Sequence, residues 1–309
     1  YYTDPKCEHF SICGGCKTQH LDYLEQVNQK KIQVQNIFQK QAGIKDFKVD
    51  EVIPADPVFN YRNKMEFTFS KNRWILDDEP DKVESDFALG MHIPKRWDKI
   101  LDINTCYLMP EVGSKIINFV RDLAKKSKLK PYDQRSHIGF LRYLALRYGE
   151  NTKELMVNIV TSYEDLDTLI PFVQSLVDEF PEITSVVNNI NTRKADVSFG
   201  EREILLFGKP ILNEKLKELN FQISANSFFQ TNSLMAEKLY DVILDSANLN
   251  GDEIVYDLYC GAGSISLFLA KKAKFVYGFD IIVSSIENAE HNAVINNIQN
   301  IDFKVANLD

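Results

Sequence analysis

What most limits the fold of this chain is an apolar run that ends on glycines, Ile254-Val255-Tyr256-Asp257-Leu258-Tyr259-Cys260-Gly261-Ala262-Gly263. A short apolar strand entering a Gly-x-Gly turn at a helix start opens a βαβ unit, whose parallel neighbour strand is reached by a right-handed crossover. The flanking pattern continues the alternation: helices are predicted over 234–247, 264–272 and 283–297, and strands over 253–259, 275–280 and 302–306. Residues 226–309 therefore read as a Rossmann-like α/β unit with a parallel sheet. Gly261 and Gly263 let the backbone approach a ligand, and a helix N-terminus favours negative charge beside it.

Asp280 closes the next strand, where a carboxylate can accept hydrogen bonds from ribose hydroxyls. Spacing alone fits NAD or S-adenosylmethionine, and a lone Gly-x-Gly also serves as an ordinary strand-to-helix turn. A dinucleotide dehydrogenase wants a third glycine, and Ser266 occupies that position.

The rest of the chain has a different texture. Leu24, Val27, Val34 and Phe38 recur at helical spacing and predict a helix over about 21–41, within a segment 19–50. Met65, Phe67 and Phe69 alternate with Lys64, Glu66, Thr68 and Ser70, as in a half-buried antiparallel strand. Further strands are expected at 141–148, 154–161, 183–190 and 203–207, with helices at 110–127 and 165–179, so residues 51–225 read as a central α+β domain. No segment approaches the ~18 consecutive apolar residues of a membrane span, and Tyr1–Phe10 holds no basic region followed by an apolar stretch, so a cytoplasmic monomer with no membrane partner is expected.

Three of five cysteines, Cys7, Cys13 and Cys16, fall inside residues 1–18 with Gly14-Gly15 between the last two. This is not the dense, even pattern of a disulfide framework. A fourth ligand would come from Cys106, since Cys260 belongs to the glycine turn. An iron–sulfur cluster and a structural zinc with His9 or His20 fit that spacing equally.

The net charge of −8 argues against indiscriminate nucleic-acid binding, so any RNA site must be a local patch. Candidates are Tyr61-Arg62-Asn63-Lys64, Lys71-Asn72-Arg73-Trp74, and Arg135, Arg142 and Arg147, where cations sit among aromatic residues. Any one of these cations also fits a solvated strand face.

Cys7-x5-Cys13-Gly14-Gly15-Cys16 with Cys106, the segment Asp257-Leu258-Tyr259-Cys260-Gly261-Ala262-Gly263 and Ser227-Phe228-Phe229-Gln230-Thr231-Asn232 together resemble the iron–sulfur-containing 23S rRNA uracil-C5 methyltransferases. The likeness covers essentially the whole chain. It implies a class I methyltransferase domain, incomplete at the C-terminus, beside a central α+β domain that carries the iron–sulfur motif. It implies a [4Fe–4S] cluster on Cys7, Cys13, Cys16 and Cys106, and S-adenosylmethionine contacts at Gln230, Tyr259, Ser264, Asp280 and Asn307. The family more usually has Asn or Thr at 264 and Glu at 280. RNA-facing residues are expected at Arg62 and Lys64, with Arg142 added from the basic patch, and the helix of 19–50 is expected against the methyltransferase domain. The family's Asp-Pro-Pro-Arg segment, its nucleophilic cysteine in Ser-Cys-Asn-Pro and its general-base glutamate are not among these residues. No catalytic residue is therefore assigned within 1–309, and these residues alone are expected to be inactive. A barrel of the TRAM type commonly precedes the cysteines in that family. The rival readings are a non-catalytic RNA-binding or iron–sulfur protein that keeps the cofactor fold, and an enzyme of transfer RNA.

Overall fold

The computed structural model describes residues 1–80, 85–195 and 197–307. The first helix, α1 (Tyr23–Asn36), is capped by Asp22, whose carboxylate accepts from the Leu24 amide at 2.9 Å, and it runs into one π-helical turn, Ile37–Gln41. The apolar spacing does form a helix here. Its face is covered only in part: no residue of α1 or the π turn is fully buried and Leu24 is 73% exposed, while Val27 is half-buried beside a cavity that Val52, Ile53 and Met235 also line.

The central region builds a seven-stranded sheet among the described residues. Its strands are β1 (Lys64–Ser70), β2 (Ala88–Ile93), β3 (Arg96–Asp102), β4 (Leu141–Tyr148), β5 (Leu155–Thr161), β6 (Ile183–Ile190) and β7 (Arg202–Gly208), in the order β3-β2-β1-β4-β5-β6-β7. Neighbours are antiparallel except β5 and β6, which are joined by the crossover helix α3 (Leu166–Glu179). The alternation in β1 puts Met65, Phe67 and Phe69 on one face, where they share a core with Leu144, Val157, Phe172 of α3, and Ile116 and Ile117 of α2 (Glu111–Lys126). Lys64, Glu66, Thr68 and Ser70 fall on the opposite face and are half-buried, with no helix over them among the described residues.

Further along, that second face is covered by a hairpin. Strands β8 (Ile211–Leu216) and β9 (Leu219–Ser224) turn through Lys217-Glu218, with Lys217 at φ 51°. Leu212, Leu216, Phe221 and Ile223 of the hairpin form one core with Met156 of β5 and Val187 of β6. The same core continues into the helices α4 (Ser233–Ala247), α5 (Ser264–Ala270) and α6 (Val283–Ile295) through Tyr240, Phe268 and Ala289. Between Met156 and Val187 the sheet face is polar: Ser185, Asn158 and Asn189 are buried, and the Asn189 side-chain amide donates to Asn158 Oδ1 at 3.0 Å.

The C-terminal strands β10 (Ile254–Leu258), β11 (Phe275–Asp280) and β12 (Ile301–Val305) are parallel, in the order β10-β11-β12. Helix α5 is two residues shorter than the pattern suggests. Helices α5 and α6 pack on one face, while Ile254, Tyr256 and Leu258 on the other are more than half exposed, with Tyr256 stacked 5.6 Å from Tyr277. No helix among the described residues is long and apolar enough to cross a membrane.

Arg142, a sequence candidate for RNA contact, is corrected by its burial. It is 2% exposed, and its guanidinium donates to the carbonyls of Asn191 (2.7 Å), Arg193 (2.6 Å) and Ala195 (2.7 Å) while lying over the Tyr132 ring. It clamps a loop, and what little of it is exposed borders the small cavity between Tyr132 and Trp97. Replacing it by an apolar side chain of similar length leaves carbonyls without donors, each at about 1–3 kcal/mol. We expect Arg142→Met to lower the unfolding free energy by about 3 kcal/mol or more in urea titration; a loss below about 1 kcal/mol would contradict the clamp.

Candidate functional site

The glycine turn is built by left-handed backbone at alternate residues: Tyr259 (φ 64°), Gly261 (φ 56°) and Gly263 (φ 77°). The two glycines serve different ends. A Cβ on Gly263 would lie 2.8 Å from the Phe303 ring and 2.9 Å from Ala289 Cβ, so this glycine lets α5, α6 and β12 close together. A Cβ on Gly261 would meet nothing within 4 Å, so backbone here is open to a ligand. Tyr259 carries a bulky side chain in the same strained region and is 68% exposed, a combination that functional sites favour.

Asp280 is nearly buried and accepts from the Gly261 amide through Oδ2 and the Ile282 amide through Oδ1, both at 2.9 Å. A carboxylate has about four lone-pair positions, so two remain for ligand hydroxyls. Asn307 is brought to the same end of the sheet, because β12 pairs Val305 with Asp280 and the Ala306 amide donates to the Asp280 carbonyl at 3.0 Å. Ser264 begins α5 and its hydroxyl accepts from Tyr240 at 2.9 Å. Ser266, in the place of a third glycine, is fully buried and donates to Asp257 Oδ2 at 2.5 Å, which explains a hydroxyl there. Burial, opposed by Ser266 and reinforced by nearby Asp280, raises the Asp257 carboxyl above its ordinary range. Cys260 is packed against this pair. Burial, with Asp257 and Asp280 adding to it, pushes its thiol up to about 12, so it stays protonated at neutral pH.

Gln230 is held from the other side. Its carbonyl accepts from the Asn63 side-chain amide at 2.8 Å, while Asn63 also donates to Ser233 Oγ at 2.9 Å and its backbone amide reaches the Thr231 carbonyl. Asn232 is the cap of α4, its Oδ1 accepting from the Met235 amide at 3.0 Å. Arg147 anchors the same stretch, donating to the Ala225 (3.4 Å) and Ser227 (2.6 Å) carbonyls, and Asn288 of α6 donates to Ser227 Oγ at 2.8 Å. Arg147 is therefore buried scaffolding, and burial, partly offset by Glu66, lowers its guanidinium to about 10. Sequence reasoning grouped Asn63 and Arg147 with surface cations; only their distant partners disclose their role.

Arg62 and Lys64 line a cavity of about 480 Å³ between Gly15 of the cysteine loop and Phe228, which is 67% exposed. Lys64 pairs with Glu66 at 2.7 Å, and Arg62 Nε donates to the Lys64 carbonyl at 3.0 Å.

Cys7, Cys13, Cys16 and Cys106 all line one cavity of about 40 Å³ and form no disulfide. Four thiols around one space is the ligand count of a cubane cluster, and the Gly15 amide pointing to Cys13 Sγ at 3.4 Å suits a thiolate. No group of three or more His, Cys, Asp or Glu among the described residues is arranged to hold a single metal ion. His9 is already engaged, its Nε2 accepting from the Asn104 amide at 3.2 Å.

The sequence pattern of the tRNA (Uracil-5-)-methyltransferase family matches residues 176–307. An uncharacterized RNA methyltransferase of Porphyromonas gingivalis is 37% identical across 98% of this chain and 67% of its own length. The chain belongs to the RNA methyltransferase family. A second RNA methyltransferase, from Chlorobaculum tepidum, is 40% identical over 99% of this chain, which spans 64% of that relative's length. The crystal structure of Pyrococcus abyssi tRNA (uracil-54, C5)-methyltransferase with S-adenosyl-L-homocysteine superposes with a TM-score of 0.75 at 32% identity, covering 96% of this chain and 65% of that one. The fold is thus that of an S-adenosylmethionine-dependent methyltransferase with a mixed sheet alongside.

The two glycines give separable expectations in this family member. Gly261→Ala should carry only the left-handed backbone penalty, about 1–2 kcal/mol, whereas Gly263→Ala adds clashes with Phe303 and Ala289 and should melt well below it. Thermal unfolding of the two variants side by side checks this, and equal melting temperatures would contradict the distinction.

Proposed function

We propose that the full-length protein methylates carbon 5 of a uridine in RNA, and that 23S rRNA carries that uridine. The observation that supports this most is the open Gly261 backbone beside the Asp280 carboxylate, in an RNA methyltransferase family member whose residues 176–307 match the tRNA (Uracil-5-)-methyltransferase pattern. When bound, S-adenosylmethionine supplies an electrophilic methyl group on a sulfonium. Gly261 would give the donor backbone access, Asp280 would accept from its ribose hydroxyls, and Tyr259, Gly263, Ser264, Asn307 and Gln230 would border it. The carboxylates of Asp257 and Asp280 favour a cationic ligand over an anionic one.

Uracil C5 is a poor nucleophile. Addition of a thiolate to C6 makes C5 enolate-like, after which a base removes the C5 proton and the thiolate leaves. None of the five cysteines here fits that role: four line the cluster cavity and Cys260 is buried and protonated. We assign the nucleophile and base to residues beyond 309, and a target inside paired RNA must be flipped out to present both carbons. Arg62 and Lys64 are assigned to the RNA side of the cavity below Phe228. The thiols of Cys7, Cys13, Cys16 and Cys106 fit a [4Fe–4S] cluster with a structural role, tying the N-terminal loop to the segment before α2; the proposed methyl transfer moves no unpaired electron.

Transfer RNA is the second reading, favoured by the likeness to the Pyrococcus abyssi tRNA enzyme. Full-length protein incubated with rRNA and tRNA transcripts, followed by nucleoside mass spectrometry, is expected to yield 5-methyluridine from rRNA. Product from tRNA alone would replace the substrate, and none from either would remove the activity. Residues 1–309 alone are expected to give none. Asp280→Ala in the full-length protein should weaken S-adenosylmethionine binding by about 1.5–3 kcal/mol in calorimetry, the worth of a charged hydrogen bond. Iron and acid-labile sulfide are expected in anaerobically purified protein, and zinc without sulfide would refute the cluster.

A further inference from the structure

The cavity below Phe228 does not end at β1. It shares Glu66 and Met91 with a second of about 400 Å³ that reaches Phe199, and this shares Thr68, His92 and Tyr143 with a third that reaches Trp97. Placed end to end by those shared residues, they mark a groove along one face of the central sheet over Glu66, Thr68 and Ser70 of β1, narrowing to about 30 Å³ before Trp97. We propose that this groove is the track for single-stranded RNA flanking the target uridine, with stacking stations at Phe199–Arg193 and Trp97–Arg135. The assignment rests on the reading of the protein as an RNA methyltransferase and adds where the flanking nucleotides lie.

Two observations carry it. At each station an exposed ring stands beside a guanidinium: Phe199 is 46% exposed with Arg193 5.8 Å from its centroid, and Trp97 is 63% exposed with Arg135 5.7 Å away. Carboxylates hold both guanidiniums, Glu201 at 2.8 Å from Arg193 and Asp98 at 3.5 Å from Arg135, so the stacks are preset. A base can stack on such a surface whatever its identity. Between the stations the floor offers polar edges, including His92 Nδ1, which is buried without a hydrogen-bond partner.

Charge selects the kind of RNA. Lys64 is paired with Glu66 and Lys71 with Asp133, so the groove carries cations and carboxylates together and neutralises few phosphates. Recognition must then come from bases, which duplex RNA keeps stacked inside its helix. The groove accordingly suits unpaired strand and disfavours duplex.

The test uses full-length protein, labelled oligouridylate and fluorescence anisotropy, with S-adenosylmethionine calorimetry as a control on the fold. Trp97→Ala and Phe199→Ala are each expected to weaken oligouridylate binding about tenfold. Trp97→Phe should restore most of the loss, and the dependence of affinity on salt should stay unchanged in all variants, because no phosphate contact is removed. Unchanged oligouridylate affinity in both alanine variants overturns the track, as does a Trp97→Phe variant as weak as Trp97→Ala. Wild-type protein that forms 5-methyluridine while the variants bind normally overturns the track alone; wild-type protein that neither binds oligouridylate nor methylates RNA overturns the activity as well.

Discussion

Glu214 is 1% exposed, and its carboxylate is satisfied by donors from three parts of the chain: the amides of Glu150 and Asn151 after β4, its own neighbour Lys215, and the Ser233 hydroxyl at the start of α4. Ser233 in turn accepts from Asn63, which also grips Gln230 and Thr231. A buried polar network of this kind holds one geometry, because any shift leaves a group unsatisfied in a low dielectric. The seam therefore sets where the Gln230 segment lies against the central sheet, and with it the distance between the cavity under Phe228 and the glycine turn. Apolar contact in the shared core supplies cohesion, but it would tolerate sliding that the seam does not.

The periodic elements could be read from sequence because their signal is local. The alternation in β1, the strand and glycine turn at 254–263, and the helices α2 and α3 each declare themselves within a few residues. The hairpin β8–β9 escaped notice because Lys217-Glu218 makes its turn without the glycine or asparagine that usually marks left-handed backbone. The strands β2 and β3 were hidden similarly, behind Lys95 at φ 63°. In the candidate site, Asp280, Gly261 and Asn307 are neighbours because adjacent strands of a parallel sheet end together, which sequence order can convey. Arg142 and Arg147 could not be separated from surface cations, since a strand shows which residues are charged and not which face is covered. The apolar stripe of α1 conveys the helix without its cover: Leu24 stays exposed while Val27 is half-buried.

The cysteine loop and the segment before α4 are far apart in sequence and border the same strand. Gly15 and Phe228 border one cavity, with Lys64 and Glu66 of β1 between them. A rigid N-terminal loop would thus fix one wall of the cavity proposed for RNA, while the Asn63 seam fixes the other. The uncovered face of β1 lies between those walls, and its half-buried polar side chains keep it wettable when no ligand is there.

The hairpin that completes the second core also dictates an order of events during synthesis. A ribosome releases β4, β5 and β6 before residues 211–224 exist, so the face that β8 and β9 will cover is first exposed to water and to other nascent chains. Ser185, Asn158 and Asn189 lie on that face among Met156 and Val187. In the finished protein they look like a costly interruption of a core; in the growing chain they reduce the stickiness of a sheet that has to wait for its cover.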